Sequence, residues 1–155
     1  MFGKRVTQYL AFQKAFLATT AVVGLARLGL SLTGVPDATV AWLSMNVIVW
    51  AGALYYGVAV HTRGFGGYKQ LLPLVTFQVA VLHAVAVAGI LLAIAGFPNV
   101  FSAPEYSGPA TPQNQWLHAL SHLTIGMLAA PLVLWGAASL AMWITKRAAR
   151  RPAVA

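Results

Sequence analysis

Four stretches of the chain are apolar over about the 20 residues that a bilayer core requires of a helix. They run from about Phe12 to Leu32, Val40 to Val60, Leu71 to Ala95 and Trp116 to Thr145. Turn-forming segments separate them. "TGVPDAT" carries Gly34 and then Pro36-Asp37, and "HTRGFGGYKQ" carries three glycines. "GFPNVFSAPEYSGPATPQNQ" is long and holds four prolines, which predicts an extended surface loop over 96–115 with no helix of its own. The pattern predicts an all-α integral membrane protein: a four-transmembrane-helix up-down bundle, one membrane domain over residues 1–155.

Composition supports this reading and narrows it. The chain is 59% hydrophobic and 8% charged, with Asp37 and Glu105 as its two acids. A soluble domain carries roughly 25% charged residues, so this chain cannot build a soluble surface. The net charge of +8 does not point to nucleic acid. The bases sit in short clusters beside apolar runs, where anionic headgroups of the cytoplasmic leaflet are the natural counter-charge. Absence of cysteine removes disulfides, thiolate metal sites and cysteine nucleophiles.

The bases also orient the bundle. Lys4, Arg5, Lys14, Arg63, Lys69, Lys146, Arg147, Arg150 and Arg151 fall at one end of the predicted helices, and both acids at the other. By the positive-inside rule both termini are cytoplasmic, as in a bacterial cytoplasmic (inner) membrane. Trp42 and Trp116 then form an outer aromatic belt, with Tyr9, Phe12, Tyr68 and Trp143 at the inner one. The first apolar run is read as a retained helix rather than a cleaved signal, because Arg27 interrupts it and no A-x-A-like site follows. Small residues at four-residue spacing, Ala80/Ala84/Ala88 and Gly126/Ala130, predict close helix contacts. Pro131 predicts a kink in the fourth helix.

Polar side chains inside spans are costly and so carry the functional signal. Counted from the outer helix ends, Arg27, Asn46 and His122 each lie about six residues down, roughly 9 Å deep. His118 lies one turn nearer the surface, and Ser31, Ser44 and Ser121 add hydroxyls near that level. Arg27, Asn46, His118, His122 and the loop acid Glu105 are therefore the candidate ligand-binding residues. For Arg27 the simpler account is snorkelling, or an ion pair with Asp37 or Glu105. His118 and His122, at i and i+4, could supply two neutral nitrogen ligands to a metal, but the spacing is unspecific and lacks the glutamate of a zinc-protease motif. Their simpler reading is interfacial for His118 and hydrogen-bonded for His122.

His83 lies mid-span, roughly 20 Å from either surface. It is a candidate haem ligand or proton-relay residue, against the simpler reading of a hydrogen-bonded core histidine. The same count puts His122 about 10 Å too shallow to join it on one haem. Gln13 and Gln78 are placed to bridge helices. Trp50 and Trp135 are packing residues or the walls of an apolar cleft, and His61 is interfacial.

No paired carboxylates and no Ser/His/Asp set exist for hydrolysis, so the balance is against an enzyme. Three functions remain in order. The first is an accessory or interaction subunit of a larger membrane complex, bound to other membrane subunits or to copies of itself. The second is a redox or ligand-binding protein holding a quinone, haem b or a metal ion in an outward polar site. The third is a small ion or proton transporter.

Overall fold

The computed structural model describes residues 1–102, 108–109 and 111–149; Glu105, Arg150 and Arg151 lie outside them. Helix α1 is Val6–Leu32, α2 is a single turn at Asp37–Val40, α3 is Met45–Thr62 and α4 is Tyr68–Ile94. A 3-10 turn follows at Val100–Ser102. Helix α5, Pro112–Ala149, is α-helical except for a π turn at His122–Gly126. The four long helices are apolar enough to cross a membrane and pack in contact as a bundle. Helix α1 lies against α3 and α4, and α5 lies on their other side. Outward leucines such as Leu120, Leu123, Leu128 and Leu132 are each more than half exposed, which suits lipid and not water.

Local chemistry sets the helix ends. Glycines with positive φ, Gly34 and Gly96, follow α1 and α4, and Val35 and Phe97 donate back to the Leu30 and Leu92 carbonyls at 3.1 and 2.9 Å. This closes the orphan carbonyls of each helix end, with glycine supplying the left-handed residue at no steric cost. Two predicted boundaries are corrected. The second span is not one helix from Val40, because the Ser44 hydroxyl accepts the Val47 amide at 3.4 Å and starts α3 at Met45. The 96–115 loop is not devoid of helix, because Thr111 accepts the Asn114 amide at 3.3 Å and Pro112 occupies the first helical position. A proline there loses nothing, since that amide has no helical partner anyway. Helix α5 therefore begins four residues before the predicted Trp116.

The basic end of the bundle is flush and filled. Tyr9, Val60, Leu71, Leu74, Val75, Ala138 and Met142 are wholly or almost wholly buried. Phe12 stacks on Phe65 with ring centroids 3.9 Å apart, and Trp135 donates its indole hydrogen to the Tyr68 carbonyl at 2.9 Å. Lys4 and Lys146 sit over the Phe65 and Tyr68 rings at 4.6 and 4.3 Å, as cation–π attraction favours. The expected small-residue contacts are half right. Ala84 and Ala88 are exposed, so that stripe is not a helix seam. A close backbone approach occurs instead at Gly57, where any side chain would strike the Ala138 backbone carbonyl. Gly126 and Ala130 do face α4 and the core. As for the expected kink, the irregular turn ends at Gly126 and α-helix resumes through Pro131. In a regular helix Pro131 would bond the Met127 carbonyl, but it has no amide hydrogen to give.

Candidate functional site

The polar residues of the spans divide into three groups. The first is an ion pair. The α2 turn carries Asp37 back over α1, and both its carboxylate oxygens meet Arg27: Nη2 donates to Oδ1 and Oδ2 at 2.7 and 2.9 Å, and Nε to Oδ1 at 3.0 Å. A forked, charge-assisted pair of this kind is the strong form of the interaction. It answers for the Arg27 charge without snorkelling.

The second group is a buried amide pair near the basic end. Gln78 Nε2 donates to Gln13 Oε1 at 3.1 Å, and both side chains are fully buried. The pair bridges α1 and α4 as expected. Gly52 of α3 makes room for it, since a side chain there would strike the Gln78 amide.

The third group is the candidate site. His83 Nδ1 lies 2.7 Å from His122 Nδ1, and His122 Nε2 lies 3.1 Å from His118 Nε2. The three rings form a continuous nitrogen-to-nitrogen array across α4 and α5. This corrects the depth count that separated His83 from His122. Helix α5 starts at Pro112, which puts His122 ten residues from that end, and His83 is eleven residues from Ile94. Gly126 then lets the helices close, because a Cβ on it would lie 2.7 Å from His83 Cε1. His118 is likewise not simply interfacial: it is half-buried and bonded into the array.

Beside the array is a cavity of about 230 Å³, lined by Arg27, Asn46, His83, His118 and His122 among apolar neighbours. Four of the five candidate ligand residues thus meet around one space, and Glu105 lies outside the described residues. Val100 and Phe101, which the sequence reading left in the loop, also line it. The Val100 amide donates to Ser31 Oγ at 2.8 Å, and Asn99 Nδ2 donates to the Gly89 carbonyl at 2.7 Å, so the 3-10 turn is tied to α1 and α4. Ser44 lines the cavity too, whereas Ser121 turns back to the His118 carbonyl at 2.7 Å.

The array has a definite chemistry. A neutral imidazole has one N–H and one lone pair, so each contact needs one donor and one acceptor. Either His118 donates to His122 and His122 to His83, or every bond runs the other way. A proton taken up at one end and released at the other converts one arrangement into the other. In both, His83 Nε2 is buried without a hydrogen-bond partner among the described residues. A haem iron on His83 would require one of its nitrogens to turn away from His122 or from Gly126. No cluster of three or more His, Cys, Asp or Glu side chains able to hold a metal occurs among the described residues. His61, at the basic end of α3, takes no part in this cavity.

These features define a class: a four-helix, membrane-spanning bundle with a histidine-lined polar cavity. Comparison with known protein families, curated proteins and solved structures gives no match for the chain.

Proposed function

We propose that this membrane protein binds a small hydrogen-bonding ligand in the cavity beneath the 100–102 turn, with the histidine array exchanging protons with it. The observation that carries this is the His118–His122–His83 array bordering the same space as Arg27 and Asn46. Three imidazoles in apolar helices are expensive to retain, and a role as an accessory subunit gives no reason for them. The exposed apolar faces that such a role would use are equally what lipid requires. In the same reading the lysine- and arginine-rich end faces the cytoplasm of a bacterial inner membrane, so the histidine cavity lies toward the outer side.

A second reading has one observation in its favour. The Nε2 atoms of His118 and His122, 3.1 Å apart, are close enough to share one ion at metal–nitrogen distances of about 2.0–2.1 Å. His83 would then orient His122 from behind, as outer partners of ligating histidines do. One preparation tests both readings. Protein purified in mild detergent is assayed for metal, for its absorption spectrum and for extractable small molecules. The ligand reading expects a bound organic molecule, or saturable binding of one, that His122→Ala removes. Stoichiometric metal lost in His118→Ala would favour the second. Protein that carries and binds nothing would sink both.

A further inference from the structure

A second cavity of about 300 Å³ meets the first at Asn46, Leu82 and His83. It is a crevice between α3 and α5, floored by α4, and apart from those shared polar residues its walls are apolar. We infer that the ligand is a neutral, lipid-soluble carbonyl compound of the quinone class, its ring among Asn46 and the histidines and its apolar tail in this crevice. The inference rests on the ligand reading above and names the ligand's class.

Four observations support it. First, the crevice opens sideways in the apolar middle of the bundle, since Trp50 and Val133 on its two rims are 45% and 58% exposed. A molecule dissolved in lipid can enter there without crossing water. Second, the upper cavity alone is smaller than the roughly 300–1,000 Å³ of sites that enclose a drug-sized ligand, whereas the two together fall within that range. Third, among the described residues the first cavity has no cation outside an ion pair to hold an acid. Arg27 already holds both oxygens of Asp37, and the remaining polar groups are hydrogen-bonding imidazoles and an amide. With the Ser44 hydroxyl, which also lines the cavity, that set of neutral hydrogen-bonding groups suits a carbonyl oxygen better than a carboxylate or phosphate. Fourth, the Asn46 amide lies where the two cavities meet and makes no hydrogen bond among the described residues. Its side chain is exposed, so its N–H is open to a ring carbonyl, which would supply a partner.

The test uses full-length protein in nanodiscs and three probes: a substituted benzoquinone without a tail, the same ring with a short isoprenoid tail, and oleic acid. Binding is read by quenching of tryptophan fluorescence, with Trp50 on the crevice wall as reporter. The tailed quinone should bind about tenfold more tightly than the tail-less ring. Val133→Trp, which fills the crevice from an exposed position, should erase most of that difference, and Ala129→Phe, a second exposed rim position, should do the same. Asn46→Ala should weaken both quinones. Equal affinity of the two quinones, with no effect of either rim variant, would overturn the tail crevice and leave the ligand reading standing. Tighter binding of oleic acid than of either quinone would overturn the neutral carbonyl class. Failure of all three probes, in protein that still carries or binds another organic molecule lost with His122→Ala, would overturn this inference alone.

Discussion

The bundle buries two polar clusters between α4 and a neighbour, and they differ in what surrounds them. Gln13 and Gln78 are wholly enclosed, next to a filled aromatic core. His83 and His122 are built in the same way, with a glycine opposite, yet they border two cavities. The glutamine pair has the form of a staple, holding α1 to α4 by a hydrogen bond from Gln78 to Gln13 that water cannot contest. The histidine array has the form of a site, because empty space and further polar groups lie beside it. A buried polar pair thus signals function through the space it borders and not through its polarity.

Four experiments would sharpen or break that contrast, beginning with the largest effect. Gly126→Val should push the His83 ring off His122, lowering stability by about 1–3 kcal/mol through overpacking and removing ligand binding with it. Thermal unfolding in detergent, run beside a binding assay, reads both. If binding survives intact, the array is not the site. Next, Gln78→Ala leaves Gln13 buried without its partner and should cost about 1–2 kcal/mol with ligand affinity unchanged. A loss of affinity instead would make the glutamines part of the site.

Arg27→Ala and Asp37→Ala test the ion pair. The two side chains are 16% and 38% exposed, so Asp37→Ala, which leaves the more buried Arg27 charge without its partner, should cost about 2 kcal/mol and Arg27→Ala about 1 kcal/mol. The two variants should behave alike in binding. A much larger affinity loss for Arg27→Ala would mean that its guanidinium touches the ligand. Smallest of all, the double change Gln13→Leu with Gln78→Leu should stay within about 0.5 kcal/mol of wild type, since removing both partners leaves nothing unsatisfied. The matching double change His83→Leu with His122→Leu also removes the His122 contact of His118, so it should cost somewhat more, about 1 kcal/mol, and yet abolish binding. If both doubles leave binding intact, the comparison collapses and the histidines are a second staple.

Much of the fold was legible in the pattern of residues. Four apolar runs became four long helices in contact, and Gln13 met Gln78. Most of the polar residues that line the candidate cavity are also legible, because ionisable groups in apolar helices stand out. The contact of His83 with His122 is hidden for one geometric reason: depth does not count evenly from the ragged end of the bundle. There α1 closes on Gly34, α3 starts only after the Asp37–Val40 turn and the Ser44 cap, and α5 starts early at Thr111-Pro112. From the basic end, which the short Arg63–Gly67 connection keeps flush, Asn46 is sixteen residues from Thr62 and His83 fifteen from Tyr68. His122 is thirteen residues from Trp135, which bonds the Tyr68 carbonyl. That count puts all three at one level.

Apolar run length and the chemistry of a helix cap are local properties, and they can be read from neighbouring residues along the chain. They sufficed for the spans, for the polar inventory and, with Thr111-Pro112 in hand, for a better boundary. Contact between His83 and His122, 39 positions apart, depends on how far α4 and α5 slide past each other along their axes. Backbone clearance at Gly126, packing at Gly57 and the tethered 3-10 turn decide that offset together. Each is an interaction between distant segments, so the cavities and the array beside them exist only once the helices have docked.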